Sequence, residues 1–265
     1  MKLITLTTDF GSRDGYPGIM KGVILSICPD AQIVDITHEI APQQVLEGAL
    51  TLARSTPYFS PGAVHIAVVD PGVGTERRPL AARLGEQYFV LPDNGLISLV
   101  LAEAEAQNQQ VEIVHLNRPQ YWLPKVSNVF QGRDIFAPVG AHLANGIPLS
   151  DLGSFIHNPQ RLKLPTVQPL PDGWRGAVIH IDHFGNVATN LQAEHVQGWS
   201  TLEARRLGQA YRLPVMRTFG QGNPGELIAL MDSSGYLALC VVNGSAAARM
   251  NVCLGDAIEI VRASE

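Results

Sequence analysis

The stretch that decides the fold is LITLTTDFGSRDGYPGIMKGVILSICPDAQIVDI, residues 3–36. Its β-branched opening, Leu3–Thr8, predicts a β-strand, and the apolar residues of Tyr16–Ile27 recur at helical spacing. Pro29 ends the predicted helix, and residues 32–36 predict the next strand. Two strands joined by a helix form the βαβ unit of a parallel sheet, so we expect an α/β fold.

The alternation of strands and helices continues to about residue 146. Pro42 predicts the first turn of a second helix, and residues 63–69 form an apolar run typical of a strand covered on both faces. Later in the chain we predict strands over residues 87–91 and Val111–Leu116, and helices over residues 96–106 and 135–144. The result is an N-terminal α/β domain, residues 1–150, with a mostly parallel sheet and flanking helices.

The pattern changes over residues 151–175, where prolines accumulate without sustained periodicity. We expect a Pro-rich linker there. Beyond it, short apolar runs are separated by Gly, Asn and Ser, which predicts antiparallel strands. A smaller, antiparallel, β-barrel-like domain is therefore expected over residues 176–265.

Composition limits the possible partners. The 265 residues are 46% hydrophobic, which is globular, and they carry 19 Lys+Arg against 24 Asp+Glu, a net charge of −5. Without a basic run, a nucleic-acid partner is not expected, and no apolar run approaches the roughly 20 residues of a membrane span. The three cysteines, Cys28, Cys240 and Cys253, lack metal-ligand spacing, and buried thiols in a reducing cytoplasm fit them best.

Carboxylates follow three of the predicted strands. Asp9, Asp70 and Asp93 each come directly after an apolar run, and parallel strands would bring them to one edge of the sheet. Asp93 precedes a predicted helix and is interpreted as its cap. Glycines beside Asp9 and Asp70 would let a ligand approach the backbone, and Asp14 adds another acid to the first loop. We therefore predict a binding edge at Asp9 and Asp70.

Several ligands would suit such an acidic edge. A cationic ligand, a polyhydroxyl ligand and a metal ion are all possible, and Asp9 could hold a ribose hydroxyl. Because His, Cys and Asp do not occur at metal-ligand spacing, the metal is the weaker choice. A GxGxxG pattern at residues 220–225 contains Pro224 and leads into a strand, so it does not predict a dinucleotide site.

Six motifs, taken together, resemble one family over nearly the whole chain. They are TTDFG at residues 7–11, DPGVGTER at 70–77, PDNG at 92–95, GRDIFAP at 132–138, IDHFGN at 181–186, and SSGYL with NGSAA within 233–247. The set resembles the S-adenosyl-L-methionine (SAM) hydroxide adenosyltransferases, relatives of fluorinase and chlorinase. The resemblance implies a homotrimer whose substrate lies between the N-terminal domain of one subunit and the C-terminal domain of its neighbour.

The resemblance also implies roles for individual residues. The matching substrate-binding positions are Asp9 for the ribose, Asp14, Asp182 and Ser233 for the methionine portion, Asn186 for adenine, and Phe184 and Gly244 for the walls around the base. Carboxylates suit the sulfonium and ammonium charges of SAM, and adenine requires amide hydrogen bonds beside apolar walls.

The implied reaction is hydrolysis of SAM to adenosine and L-methionine, by in-line attack of water at the ribose C5′ and without a cofactor. Asp70 and Arg77 match two members of the family's Asp-Arg-His water-binding trio, and Gln131 stands where the family has histidine. Glutamine can orient water but takes no proton near neutral pH.

Two alternatives to hydrolysis remain open at this point. Gln131 would favour a non-catalytic protein that binds SAM or adenosine. A SAM-dependent halogenase is less favoured, because the carboxylate of Asp70 would repel a halide.

Overall fold

The computed structural model describes residues 2–263 and divides the chain into two compact units. The first runs through Leu162, and the second begins at Lys163. The division lies inside the segment predicted as a linker, residues 151–175. The first residue and the last two residues of the predicted domain ranges lie outside the described residues.

A seven-stranded sheet forms the first unit. Its strands are β1 Leu3–Thr8, β2 Gln32–Thr37, β3 Val64–Val68, β4 Pro79–Leu84, β5 Gln87–Pro92, β6 Val111–Leu116 and β7 Gly153–Phe155. They lie in the order β2-β1-β3-β5-β4-β6-β7. The first four strands of that order pair in parallel, whereas β4 and β7 run against their neighbours, so five of the seven strands share one direction. The predicted mostly parallel sheet is confirmed.

Helices cover both faces of this sheet. They are α1 Tyr16–Ile27, α2 Val45–Ser55, α3 Ser98–Ala106, α4 Ala137–Ala144 and α5 Leu149–Leu152. Met20 of α1 and Val139 of α4 belong to the core on one face, and Leu52 of α2 and Leu101 of α3 to the core on the other. Because both faces are covered, every residue of β3 is buried, as predicted. The loop after β3 therefore starts from a fixed position.

Helix α2 begins later than the sequence predicts. Pro42 was expected in its first turn, but the helix starts at Val45. The reason lies at Gln43, whose φ of 67° is left-handed and interrupts helical geometry. The backbone N–H of Gln43 is instead directed to Asp9 Oδ2, at 2.8 Å.

The interpretation of Asp93 as a helix cap is wrong. Helix α3 starts at Ser98 and has no side-chain cap. Asp93 is buried, pairs with Arg78 at 2.6 Å and accepts the backbone N–H of Gln160 at 2.7 Å. Its carboxylate therefore ties the end of β5 to neighbouring segments of the first unit.

An antiparallel sheet forms the second unit. Its strands are β8 Gln168–Leu170, β9 Gly173–Ile181, β10 Val187–Gln192, β11 Thr201–Arg206, β12 Gln209–Pro214, β13 Leu227–Met231, β14 Tyr236–Val241 and β15 Ala257–Arg262, with one helix, α6 Ala246–Met250. The main order is β12-β11-β15-β9-β10-β14-β13, and β8 also pairs with β9. A bridge between Val215, just after β12, and Ala229 of β13 nearly closes the sheet. The predicted barrel-like β domain is confirmed.

The cysteines differ in burial. Cys28 and Cys240 are buried, whereas Cys253 is exposed, contrary to the expectation of buried thiols, and all three are free. Burial raises the pKa of Cys240 to about 12, so this thiol stays protonated. Within residues 2–263, no helix has both the length and the apolar character of a membrane span.

A histidine lies in the centre of the first sheet. His65 of β3 is fully buried, with its Nδ1 2.7 Å from Thr5 Oγ1 and its ring against Phe59 and Phe89. Desolvation of the charged imidazolium lowers the pKa of His65 from its usual 6.5 to about 4. As the pH falls, His65 therefore becomes protonated at a higher pH in the unfolded chain than in the folded chain. The stability contributed by neutral His65 is complete above about pH 6.5 and is lost as the pH falls to about 4.

We therefore expect His65→Gln to weaken the acid sensitivity of the fold, while still offering Thr5 a polar partner. Between about pH 7 and pH 4, the free energy of unfolding of the unsubstituted protein should fall by about 3 kcal/mol more than that of the variant, since one pKa unit corresponds to about 1.4 kcal/mol. Urea unfolding across this range measures the difference. His157→Gln, at an exposed position, should keep the original pH dependence. Equal losses in His65→Gln and the unsubstituted protein would contradict the prediction.

Candidate active site

The acidic edge predicted from the sequence is present in the first unit. Strands β1, β3 and β5 are adjacent and parallel, so the residues that follow them, Asp9, Asp70 and Asp93, come at the same edge of the sheet. Asp9 and Asp70 line a cavity of about 560 Å³, and Gln131 lines it too. Asp93 does not. The structure thus separates two cavity carboxylates from a buried structural one.

Asp70 is held by Arg77 in a two-point ion pair. Arg77 Nε lies 3.0 and 2.9 Å from the two carboxylate oxygens, and Nη2 donates to Oδ2 as well. The side chains of Asp70 and Arg77 are only 5% and 7% exposed. The guanidinium carbon also lies 5.4 Å from the centre of the Phe136 ring. Arg77 does not line the cavity, and it holds Asp70 in place through this ion pair.

Gln131 completes the predicted trio. Arg77 Nη2 donates to Gln131 Oε1 at 2.5 Å, so one guanidinium joins both residues. Gln131 directly precedes a π-helical turn, Gly132–Phe136, which leads into α4. The first two residues of the helix predicted over residues 135–144 therefore belong to this wider turn, a feature that often occurs at functional sites.

Asp134 fixes the loop that carries Gln131. Its side chain is fully buried and accepts the backbone N–H of Ser127 at 2.8 Å. It also pairs with Arg133, whose side chain is 35% exposed, at 2.6 Å. A buried carboxylate satisfied in this way holds residues 127–134 as one rigid segment.

An aromatic wall borders the same cavity and was not predicted. The rings of Phe10, Tyr16 and Phe130 contact one another edge to face, with centroids 5.2 to 6.0 Å apart. Phe10 follows Asp9, and Phe130 precedes Gln131. This adjacency to candidate site residues is the sequence feature that could have predicted the wall. The wall gives the cavity both acidic and apolar sides.

Asp9 is oriented by a residue that sequence reasoning also missed. The backbone N–H of Gln43 donates to Asp9 Oδ2, and the left-handed φ of Gln43 directs that N–H. No hydrogen bond to another of residues 2–263 occupies Asp9 Oδ1. Asp14 is exposed and is not among the cavity-lining residues.

In the second unit, Asp182 and Asn186 form one turn. Asp182 Oδ1 accepts the N–H groups of Phe184 and Asn186, and Oδ2 accepts Asn186 Nδ2 at 2.8 Å. Phe184, between them, is 73% exposed. Gly185 has φ +82°, and a Cβ there would lie 2.1 Å from Ser245 Oγ, next to Gly244. The structure thus brings Asp182, Phe184, Asn186 and Gly244 into one neighbourhood.

Ser233 lies in a second turn of the same type. Asp232 Oδ1 accepts the N–H groups of Ser234 and Tyr236, as Asp182 does in its own turn. Ser233 itself is exposed. The substrate contacts assigned by resemblance to Ser233 and to the other residues of both units stay predictions.

Comparisons with known proteins agree with this architecture. Residues 4–153 match the SAM hydroxide adenosyltransferase N-terminal domain, and residues 176–259 match the C-terminal domain of the same name. A Salinispora arenicola protein named (R)-S-adenosyl-L-methionine hydrolase is 41% identical over 263 residues, 97% of either chain. A fluorinase from Nocardia brasiliensis is more distant, at 28% identity over 292 residues, 97% of this chain and 96% of the fluorinase.

A solved structure shows the same fold. An uncharacterized conserved protein from Thermotoga maritima superimposes with a TM-score of 0.90 at 36% identity, over 98% of this chain and 100% of that one. The matches along both units define a two-domain protein of the adenosyltransferase type. The chain belongs to the SAM hydroxide adenosyltransferase family.

The loop that carries Asp70 depends on Gly74. Gly74 has φ +79°, and a Cβ there would lie 2.6 Å from the carbonyl oxygen of Asn128. Gly62 has a similar φ of +81° but open space around it. Comparing alanine substitutions at the two glycines therefore distinguishes the cost of backbone strain from the cost of a steric clash.

Accordingly, Gly62→Ala should lower the free energy of unfolding by about 1–2 kcal/mol, the cost of a left-handed backbone for a residue with a Cβ. Gly74→Ala should cost about 1–3 kcal/mol more, because Asn128 must also move. Chemical denaturation of both variants measures the difference. Equal losses would show that the contact between the two loops is unimportant.

Proposed function

We propose that this protein hydrolyses SAM to adenosine and L-methionine. The observation that carries the proposal is Asp70, a carboxylate at the cavity edge held by Arg77, with Gln131 on the same guanidinium. The full-length relatives named (R)-S-adenosyl-L-methionine hydrolase support the choice of substrate.

The reaction is an in-line displacement at the ribose C5′. A bond forms between water oxygen and C5′ while the C5′–S bond breaks, and the bonding pair stays on sulfur. Because the sulfonium leaves as a neutral thioether, no general acid is needed. The site must position water and receive its proton, and Asp70 supplies the acceptor. No cofactor takes part in this scheme.

The cavity provides groups suited to the rest of SAM. Asp9 Oδ1 is available for a ribose hydroxyl, and the aromatic wall of Phe10, Tyr16 and Phe130 supplies apolar surface. The remaining contacts would come from residues that do not line this cavity: Asp14, Asp182 and Ser233 for the methionine portion, and Asn186, Phe184 and Gly244 for adenine. The acidic groups favour a ligand that carries sulfonium and ammonium charges.

Two other functions are weaker. Halide transfer would bring an anion beside the carboxylate of Asp70, which repels it. The fluorinase relatives are also more distant than the hydrolases. A non-catalytic SAM-binding protein is favoured by one observation, that Gln131 has no titratable side chain.

Asp70→Ala should lower adenosine formation by about 10²–10⁴-fold, the usual contribution of a proton-accepting group. Purified protein is incubated with SAM, and adenosine and methionine are measured by chromatography. Asp93→Ala is the matched control, since Asp93 also follows a strand and pairs with an arginine but does not line the cavity. It should reduce stability and keep the rate per folded molecule.

Each of three outcomes would contradict a part of this proposal. Turnover equal in Asp70→Ala and the unsubstituted protein would remove Asp70 from the reaction. Calorimetric SAM binding with no adenosine would indicate a binding protein. A halogenated nucleoside formed only with added halide would indicate a halogenase.

We also propose a cytoplasmic homotrimer in which the second unit of a neighbouring subunit completes each site. The exposed ring of Phe184 and the exposed Ser233 are available for such a contact. Sedimentation equilibrium should give three times the chain mass of 28.6 kDa. Phe184→Ala should raise KM for SAM in the trimer. A fully active monomer would contradict the proposal.

A further inference from the structure

Arg77 determines which way the amide of Gln131 points. A guanidinium has donors only, so the atom 2.5 Å from Nη2 must be the carbonyl oxygen of Gln131. Arg77 is itself fixed, because it also donates to both oxygens of Asp70 and packs on Phe136. Of the two flip states of the amide, the buried ion pair therefore selects one.

The selected state leaves Nε2 of Gln131 as a spare donor. Gln131 lines the cavity, and within residues 2–263 its only side-chain hydrogen bond is the one from Arg77. Asp70, on the same cavity, offers acceptors, since a carboxylate has about four lone-pair sites and Arg77 uses only part of them. The Nε2 donor of Gln131 and the carboxylate acceptors of Asp70 thus belong to two side chains that contact the same guanidinium, that of Arg77.

We infer that Gln131 Nε2 and the Asp70 carboxylate together hold the attacking water, and that turnover needs no group titrating near neutral pH. This inference rests on the proposed hydrolysis. The water accepts a hydrogen bond from Nε2 and donates one to Asp70, which leaves a lone pair for C5′. As the O–C5′ bond forms and the C5′–S bond breaks, the water proton passes to Asp70 and then to solvent. Gln131 takes no proton and is a positioning residue.

The pH dependence follows from the groups at the cavity. A histidine in place of Gln131 would be titratable, since an unperturbed imidazole has a pKa of about 6.5, whereas an amide does not titrate. The charged or titratable groups around it are Asp9 after β1, Tyr16 on α1, Asp70 and Arg77 after β3, and Arg133 and Asp134 in the π-helical turn. These groups are the same in the unsubstituted protein and in a Gln131 variant, so their contributions cancel in the ratio of the two kcat values. The α-amino group of the substrate ordinarily titrates at about pH 8, and its effect cancels in the same ratio because every variant receives the same substrate.

Two substitutions test the two parts of the inference. Gln131→His should introduce an acid limb, because protonation of the imidazole would place a donor and a positive charge against Arg77. The ratio of its kcat to that of the unsubstituted protein should fall about tenfold per pH unit below the pKa of that histidine. Gln131→Glu keeps an oxygen toward Arg77 and replaces the Nε2 donor with an oxygen. Its kcat should fall about tenfold or more, with KM within about twofold, because a donor to the reacting water is lost. Gln110→Glu adds the same charge at an exposed position and should keep both constants.

Each outcome has a definite meaning. A kcat for Gln131→Glu equal to that of the unsubstituted protein would overturn the donor role. A kcat of the unsubstituted protein that, at saturating SAM, falls about tenfold per pH unit below about pH 6.5 would overturn the pH argument. Adenosine formation by the unsubstituted protein in either case would leave the hydrolysis itself standing. No adenosine at any pH would overturn hydrolysis and this inference together.

Discussion

The buried ion pair between Asp70 and Arg77 is the interaction on which the site depends. Removing two charges from water is costly, and the cost is offset only when their geometry and remaining hydrogen bonds are good. Arg77 meets this condition by donating twice to Asp70 and once to Gln131 and by stacking on Phe136. One guanidinium thereby joins the loop after β3 to the residue before the π-helical turn, and the loss of either charge would leave the other buried and unpaired.

The surrounding fold makes this ion pair rigid. Strand β3 is buried along its whole length, so the position of Asp70 is fixed by packing on both faces of the sheet. On the other side, the buried carboxylate of Asp134 fixes the segment that carries Gln131. Gly74 allows the two segments to approach within van der Waals contact. The polar groups of the cavity are therefore preorganised by apolar packing and one internal carboxylate.

Local signals were sufficient for the parallel strands and for the carboxylates that follow them, because alternation and apolar runs are properties of short segments. They failed for β4, whose sequence PLAARL mixes small and charged residues and becomes a strand only by pairing with β5 and β6. The left-handed backbone of Gln43 depends on Asp9, 34 residues earlier. The amide orientation of Gln131 likewise depends on Arg77, 54 residues earlier. Such contacts cannot be inferred from neighbours in sequence.

Two successive arginines show how similar sequence signals acquire different roles. Arg77 pairs with Asp70 at the end of β3, and Arg78 pairs with Asp93 at the end of β5. Side chains alternate in an extended chain, so adjacent arginines just before β4 can serve two different strand ends. Asp93 is enclosed by Arg78 and the backbone of Gln160, which leaves it a structural group. Asp70 keeps access to the cavity. What distinguishes the cavity carboxylate from the structural one here is therefore the open space beside it, and the ion pair alone does not decide the role.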